Sequence, residues 1–535
     1  MSVGLHHLII VPILLPLLAG AVMLLLEERR RRIKAGLNLL VTLAQVGVAA
    51  LLLRQVHGGN PEIGVYLLGN WPAPFGIVLV LDRLSALLLL LASVLALASL
   101  LFALARWHRA GPHFHPLFQF LLVGINGAFL TGDLFNLFVF FEVMLAASYG
   151  LVLHGSGTTR VKAGLHYIAV NLASSLLFLI GVALIYGVTG TLNMADLANR
   201  LTQVAPEDLG LLRAGFAILG VAFLVKAGMW PLCFWLPTTY AAASAPAAAL
   251  FSIMSKVGVY AILRLGLLLF GDGSDAAGFG SSWLLYGGLL TIGFGAIAVL
   301  ASQDLSRLPG YNVLISSGTL LAALGVADLA ITAGALFYLL SSTLAISAFF
   351  LLIELAERGR RPGADILAVT MEAFGEPEEE PLDSEEEVGI AIPATMAILG
   401  LSFLLCALLL AGLPPLSGFI GKFVLLDAVL RTHGTANATA WVLLAVIILS
   451  GLAVVIAMTR AGIRTFWGPL ERSVPRVRLI EITPIGLLLL LCVALTVQAG
   501  PVMRYLQDTA AALHSPQGYI EGVLSAPRAG QGGET

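Results

Sequence analysis

Long apolar stretches follow one another through almost the whole chain. We read fourteen, at residues 5–26, 33–53, 81–106, 116–132, 134–154, 161–188, 209–230, 247–270, 283–302, 309–327, 330–356, 391–431, 439–464 and 482–503. Most are near the ~20 residues that carry a helix across a bilayer. They are continuous and rich in Leu and Ala rather than alternating, which predicts helices and not a barrel. Charged residues are 11% of the 535 and apolar ones 59%. A soluble domain has about 25% charged residues, so an ordinary water-soluble fold is excluded. The first stretch is too long for a signal-peptide core, and its basic cluster follows instead of preceding it. It is therefore expected to remain as the first membrane helix.

Two stretches do not fit a single straight helix. The seventh runs on through Pro231 and Pro237, and the twelfth, 391–431, contains Leu413-Pro414-Pro415-Leu416. Proline removes a backbone donor and clashes with the preceding turn, so both helices are predicted to break inside the membrane. Broken backbone is tolerated there only when it is buried in protein or lines a wet cavity.

The connections set an orientation. Arg29 to Arg32 and Lys34 follow the first stretch, Arg106 and Arg109 the third, and Arg160 and Lys162 the fifth. Arg307, then Arg358, Arg360 and Arg361, then Arg460, Arg464, Arg472, Arg476 and Arg478 continue on the same side. The other side is sparse in basic residues, which puts both termini outside the cytoplasm. Residues 57–76 predict a short outer hairpin, and 192–203 a short interfacial helix. Residues 357–388 form a cytoplasmic loop with eight acidic positions between Glu376 and Glu387. It reads as a solvated like-charge run, with cation collection as the other reading. Beyond residue 503 a polar tail is expected.

The net charge of −2 says little about partners, and no basic patch with interleaved aromatics points to nucleic acid. Cys233, Cys406 and Cys492 are isolated within apolar stretches. They read as small buried hydrophobes and not as a disulfide, zinc or haem framework. There is no phosphate loop, dinucleotide fingerprint or HExxH. No cofactor, metal or catalytic nucleophile is expected, and Ser174 and Ser175 are assigned to helix packing.

The lysines carry the chemistry. Only five occur, and Lys226, Lys256 and Lys422 lie inside apolar stretches. An uncompensated lysine at bilayer depth costs roughly 2.5–3.5 kcal/mol. Three would cost about 8–10 kcal/mol, comparable with the ~5–15 kcal/mol net stability of a folded domain. Buried lysine can release its proton, whereas arginine effectively cannot, and a nearby carboxylate restores the charge. The pattern therefore points to proton traffic. Glu142, in LFNLFVFFEVMLAASYG, is the preferred acidic partner and is paired here with Lys226. His166 and Glu354 are candidate extensions of the path. Asp133, Asp304 and Asp328 fall near span ends and read as interfacial, and Asp427 ranks with Glu354 in a second tier.

Taken together, LFNLFVFFEVMLAASYGL, FLVKAGMWPLCFWLPTTYAAASAPAAALFSIMSKVGVYAILR and LAGLPPLSGFIGKFVLL resemble the antiporter-like subunits shared by respiratory complex I and the Mrp/Pha multisubunit cation/proton antiporters. Within that family the chain looks most like the D-type subunits. The resemblance implies an all-α polytopic protein of about fourteen transmembrane helices, with two inverted five-helix repeats and broken helices seven and twelve. It divides the chain into an N-terminal part (1–115), a first repeat (116–270), a second repeat (283–464) carrying the acidic loop 357–388, helix fourteen (482–503) and the tail (504–535). It implies Glu142 with Lys226 as a modulating pair, Lys256 as a central relay and Lys422 as a terminal proton site. It also implies A- and C-type membrane subunits as neighbours, Na⁺ or K⁺ as the exchanged cation, and a bacterial plasma membrane location. Two departures stand out. Where relatives carry Lys or His on helix eleven, this chain has Ser341, Ser342, Thr343 and Ser347, so the relay there would rest on water held by hydroxyls. Helix six has His166 where relatives often have lysine. A proton-pumping subunit of a complex I-type enzyme or membrane-bound hydrogenase, and a purely scaffolding subunit, stand as the other readings.

Overall fold

The computed structural model describes residues 7–58, 63–271, 277–358, 394–433, 438–466 and 477–528. The acidic run beyond residue 358 lies outside them. The first ten α-helices are α1 (Val11–Leu25), α2 (Arg31–Gly58), α3 (Arg83–Ala105), α4 (Phe114–Leu130), α5 (Leu134–Leu153), α6 (Thr158–Thr189), α7 (Met194–Leu201), α8 (Leu209–Ala227), α9 (Trp235–Ala242) and α10 (Ala245–Phe270). Then follow α11 (Ser281–Ala301), α12 (Leu308–Val326), α13 (Leu329–Glu357), α14 (Ala394–Ala411), α15 (Ser417–His433), α16 (Ala438–Phe466), α17 (Leu479–Val497), α18 (Ala499–His514) and α19 (Gln517–Leu524). Among the described residues twelve helical segments are long and apolar enough to cross a bilayer, and α1 and α4 are shorter apolar helices. These account for the fourteen crossings of a polytopic all-α membrane protein.

The two halves have inverted topology. α4 packs on α5 as α11 packs on α12, and α8 packs on α10 as α14 packs on α16. α8 approaches its break from the arginine-poor face, whereas α14 approaches its own from the arginine-rich face. α13 is buried along its whole apolar length. It packs against α10, α12, α14, α15, α17 and α18, so its side chains face the interior of the bundle and not lipid.

Acidic residues at the membrane faces have a local task. Asp82, Asp133 and Asp328 cap α3, α5 and α13 by accepting backbone N–H bonds from Ser85, Asn136, and Ala330 and Ile331. Asp304 likewise accepts from the Ser306 N–H. A carboxylate there answers orphan donors and the positive end of the helix dipole.

The arginine-poor face is covered by small elements. Strands β1 (Gly64–Leu67) and β2 (Val78–Leu81) pair antiparallel, so the hairpin's second strand lies beyond the 57–76 expected for it. α7 supplies the expected interfacial helix, with Asn193 accepting from the Ala195 and Asp196 N–H groups. The stretch read as a polar tail is instead α18 and α19. α18 buries Tyr505, Leu506, Thr509, Ala510 and Leu513 at helical spacing, and the polar residues between them obscured that period. Beneath this cover Arg264, at the end of α10, meets Asp82 at 2.6 Å with both side chains largely buried. The rings of Tyr260 and Tyr519 lie 5.6 and 5.2 Å from the guanidinium. Arg83 pairs with Asp508 at 2.8 Å, and the Tyr505 hydroxyl donates to the Arg83 carbonyl at 2.8 Å.

Asp82→Ala would strand a buried guanidinium. It is expected to destabilise by about 3–5 kcal/mol, read as a lower melting temperature of the detergent-solubilised protein. The double variant Asp82→Ala, Arg264→Leu should recover much of that loss.

Candidate functional site

Both broken helices end on a glycine with positive φ. Gly228 (φ 76°) closes α8 and Gly412 (φ 77°) closes α14, the left-handed geometry that glycine adopts without a Cβ clash. At the first break the Trp230 N–H is taken by the Thr291 hydroxyl of α11 at 2.9 Å. Pro231 sits in the unwound connection, but Pro237 falls in the first turn of α9, where its missing N–H costs no bond. At the second break Pro414 and Pro415 lie in the connection between α14 and α15.

The second break presents a helix C-terminus to a lysine. Lys422, on α15, donates to the carbonyls of Leu410 (3.2 Å) and Ala411 (2.8 Å) at the end of α14. Lys226 lies in the last turn of α8 itself. The partial negative charge and orphan carbonyls there favour an ammonium. A Cβ on Gly412 would stand 2.6 Å from Lys422 Cδ, so the glycine both turns the chain and leaves room for the lysine stem.

Lys226, Lys256 and Lys422 are 5%, 1% and 6% exposed. Among the described residues none has a carboxylate within ion-pairing distance. Glu142 and Lys226 are therefore not in the direct contact expected from sequence. The Ser175 hydroxyl donates to the Glu142 carboxylate. Lys226 donates to the Asn171 side-chain oxygen at 3.2 Å and stands 5.9 Å from the centre of the Phe141 ring. Asn171 and Ser175 are one turn apart on α6 and project from the same side, so α6 bridges acid and base. Ser174 does pack helices, donating to the Ala222 carbonyl of α8 at 3.1 Å.

Between Lys256 and the second break lie separate hydroxyl contacts. Lys256 donates to Ser317 on α12 at 3.3 Å. The neighbouring Ser316 meets Ser342 on α13 at 2.9 Å. Ser341, next along α13, meets Ser417 at the start of α15 at 2.8 Å. Ser347, the other helix-eleven candidate, instead joins Ser252 on α10 at 2.6 Å and the Ala249 carbonyl at 2.9 Å. All of these groups are buried.

Other candidates fall elsewhere. His166 is on an exposed face of α6. Glu354 is held at the arginine-rich face, 2.6 Å from both Arg358 and the Trp107 indole nitrogen. Asp427 pairs with Arg431 at 2.8 Å on the bundle surface. Sequence reasoning missed Asn171, Ser316, Ser317 and Ser417, and assigned Ser175 to packing alone. An asparagine inside an otherwise apolar stretch was the one available signal. Hydroxyls in membrane helices carry none, because they also bond to their own backbone.

A family model described as "NADH:quinone oxidoreductase/Mrp antiporter, TM" matches residues 131–448. A Rhizobium meliloti protein, named as a probable K(+)/H(+) antiporter subunit of the D type, is 62% identical over 99% of this chain and 100% of its own length. An Alkalihalophilus pseudofirmus protein, named as the D-type subunit of an Na(+)/H(+) antiporter, is 35% identical over 97% and 100%. A chain in the structure of the Mrp complex from Dietzia sp. DQ12-45-1b superposes with a TM-score of 0.79 at 27% identity, covering 98% of this chain and 100% of that one.

Gly412→Ala would force an L-residue into the left-handed region. It is expected to cost about 1–2 kcal/mol. Gly486→Ala, whose Cβ meets nothing within 4 Å, should be neutral or better. Thermal melting distinguishes them. By the same measurement Lys256→Met should be at least as stable as the parent, because it removes a buried charge that only a hydroxyl answers.

Proposed function

Because the chain belongs to the NADH:quinone oxidoreductase/Mrp antiporter transmembrane family, we propose that it is the proton-translocating D-type subunit of a multisubunit monovalent cation/proton antiporter. The observation that carries this reading is the set of three lysines buried, among the described residues, without a paired carboxylate and placed along two broken helices and a set of hydroxyl contacts. A structural ion pair would not leave them so.

Glu142, acting across Ser175 and Asn171, sets the charge of Lys226. Lys256 is the central relay. A hydroxyl accepts and donates at once, so Ser317, Ser316, Ser342, Ser341 and Ser417, with water between them, can pass a proton toward Lys422. The carbonyls at the end of α14 stabilise that lysine when charged and let it discharge when they move away. The subunit moves ions and catalyses no covalent conversion of a substrate. It sits in a bacterial plasma membrane with the arginine-rich face in the cytoplasm and both termini outside, beside A- and C-type membrane subunits. The name of the 62%-identical relative favours K⁺ as the exchanged cation.

Lys226→Ala, Lys256→Ala and Lys422→Ala are each expected to abolish cation-driven proton movement in membrane vesicles while the complex still assembles. Lys422→Arg keeps the charge but cannot release a proton, and should be as inactive as Lys422→Ala. Full transport by any of the alanine variants contradicts the relay. Copurifying flavin and iron–sulfur subunits would place the chain in a redox enzyme of the same family instead.

A further inference from the structure

The lysine seam leaves another buried polar array unused. It lies between α1, α2 and α4. One face of α2 reads Lys34, Asn38, Thr42, Gln45, Ala49, Leu52, Val56, all buried, at spacings of three and four that share one helix side. Its first four positions are polar and its last three apolar. The polar part starts at the arginine-rich face and extends about 16 Å at 1.5 Å per residue.

The polar groups form a connected set. Lys34, a fourth buried lysine, pairs with Glu28 at 2.6 Å at the arginine-rich end. Asn38 meets His115 Nδ1 on α4 at 2.8 Å. Gln119 donates to Asn38 Oδ1 at 2.7 Å and to the Thr42 hydroxyl at 3.1 Å. Pro16 has no N–H to give to the carbonyl four residues earlier. That Pro12 carbonyl is taken instead by Asn126 at 2.8 Å and Gln45 at 3.2 Å.

Helix-to-helix adhesion alone would satisfy every member of such a set. This one does not. Among the described residues, His115 Nε2, Gln119 Oε1 and Asn126 Oδ1 are buried and have no protein partner. With Nδ1 accepting from Asn38, the neutral imidazole carries its hydrogen on Nε2, so one unpaired donor and two unpaired acceptors lie along the array. Buried polar atoms are paired by protein or by water. No carboxylate among the described residues lines the array beyond Glu28, and Lys34 stands at its mouth, so water fits it better than a metal cation does.

We propose that α1, α2 and α4 enclose a second hydrated file, open at the arginine-rich face, closed outward by Ala49, Leu52 and Val56, and used by the protein in moving protons. Its hydration does not depend on the proposed function. Its use in transport rests on that reading.

The test uses the assembled complex with Cys233, Cys406 and Cys492 of this chain replaced by serine. Thr42→Cys and Leu52→Cys are introduced singly and exposed to Ag⁺, a small probe that follows water, from the arginine-rich face. Free thiols on this chain are then trapped in detergent and counted by mass spectrometry. Thr42→Cys is expected to react at least tenfold faster than Leu52→Cys, and equal rates overturn the file. In parallel, Gln119→Leu, and Thr42→Val should the first not assemble, are expected to lower cation-driven proton movement at least fivefold. Unchanged transport in the assembled variant overturns the proton role. Lys256→Ala run alongside separates the two readings: if it too transports normally, the lysine relay fails first; if it alone is dead, only the proton role of the second file fails.

Discussion

An ammonium group deep inside a membrane bundle needs something to answer its charge, and in this protein the answer is neutral polar groups: the carbonyls at one broken helix end, a side-chain amide and a hydroxyl. Lys422 is held by the last carbonyls of α14, and Lys226 sits in the final turn of α8. Such partners differ from a carboxylate. They are partial charges on neutral groups, strong enough to tolerate the cation and too weak to lock its proton in place. At the second break the glycine and the packing keep the helix end buried and close to Lys422.

The rest of the bundle uses opposite charges in the ordinary way, and the contrast is informative. Arg264 with Asp82 and Arg358 with Glu354 and Glu481 are direct pairs at 2.6–2.7 Å, placed near the two faces. They tie elements together: β2 and α3 to α10 on one face, α13 to α17 on the other. Arginine, which keeps its proton, occupies the fixed pairs. Lysine occupies the places where the charge has no full partner. The exception, Lys34 with Glu28, stands at the mouth of an array that itself contains unpaired polar atoms.

Much of the fold was legible because bilayer thickness leaves so few solutions. Hydropathy placed the helices within a few residues, proline located the breaks, and motif resemblance named the inverted repeats. The C-terminal helices were not legible. α18 intersperses buried Tyr505, Leu506, Thr509, Ala510 and Leu513 with polar neighbours, and overall polarity hid the period. Within the site, Glu142 and the three lysines stood out because charge is rare in apolar sequence. Their partners did not, since Asn171 and the serines become meaningful only when helices distant in sequence bring them together.

Residue order alone establishes that the chain crosses a membrane many times as helix, which helices must break, and which residues put ionisable groups there. Those follow from the cost of exposing backbone or charge to hydrocarbon, a cost incurred residue by residue. It takes the packed bundle to show that Glu142 and Lys226 meet through α6 and not directly, that Lys256 meets a serine of α12 while serines of α12, α13 and α15 pair with one another, and that His166 and Glu354 stand apart. Those outcomes depend on helix rotation and on which faces meet, and neither is encoded in the local pattern.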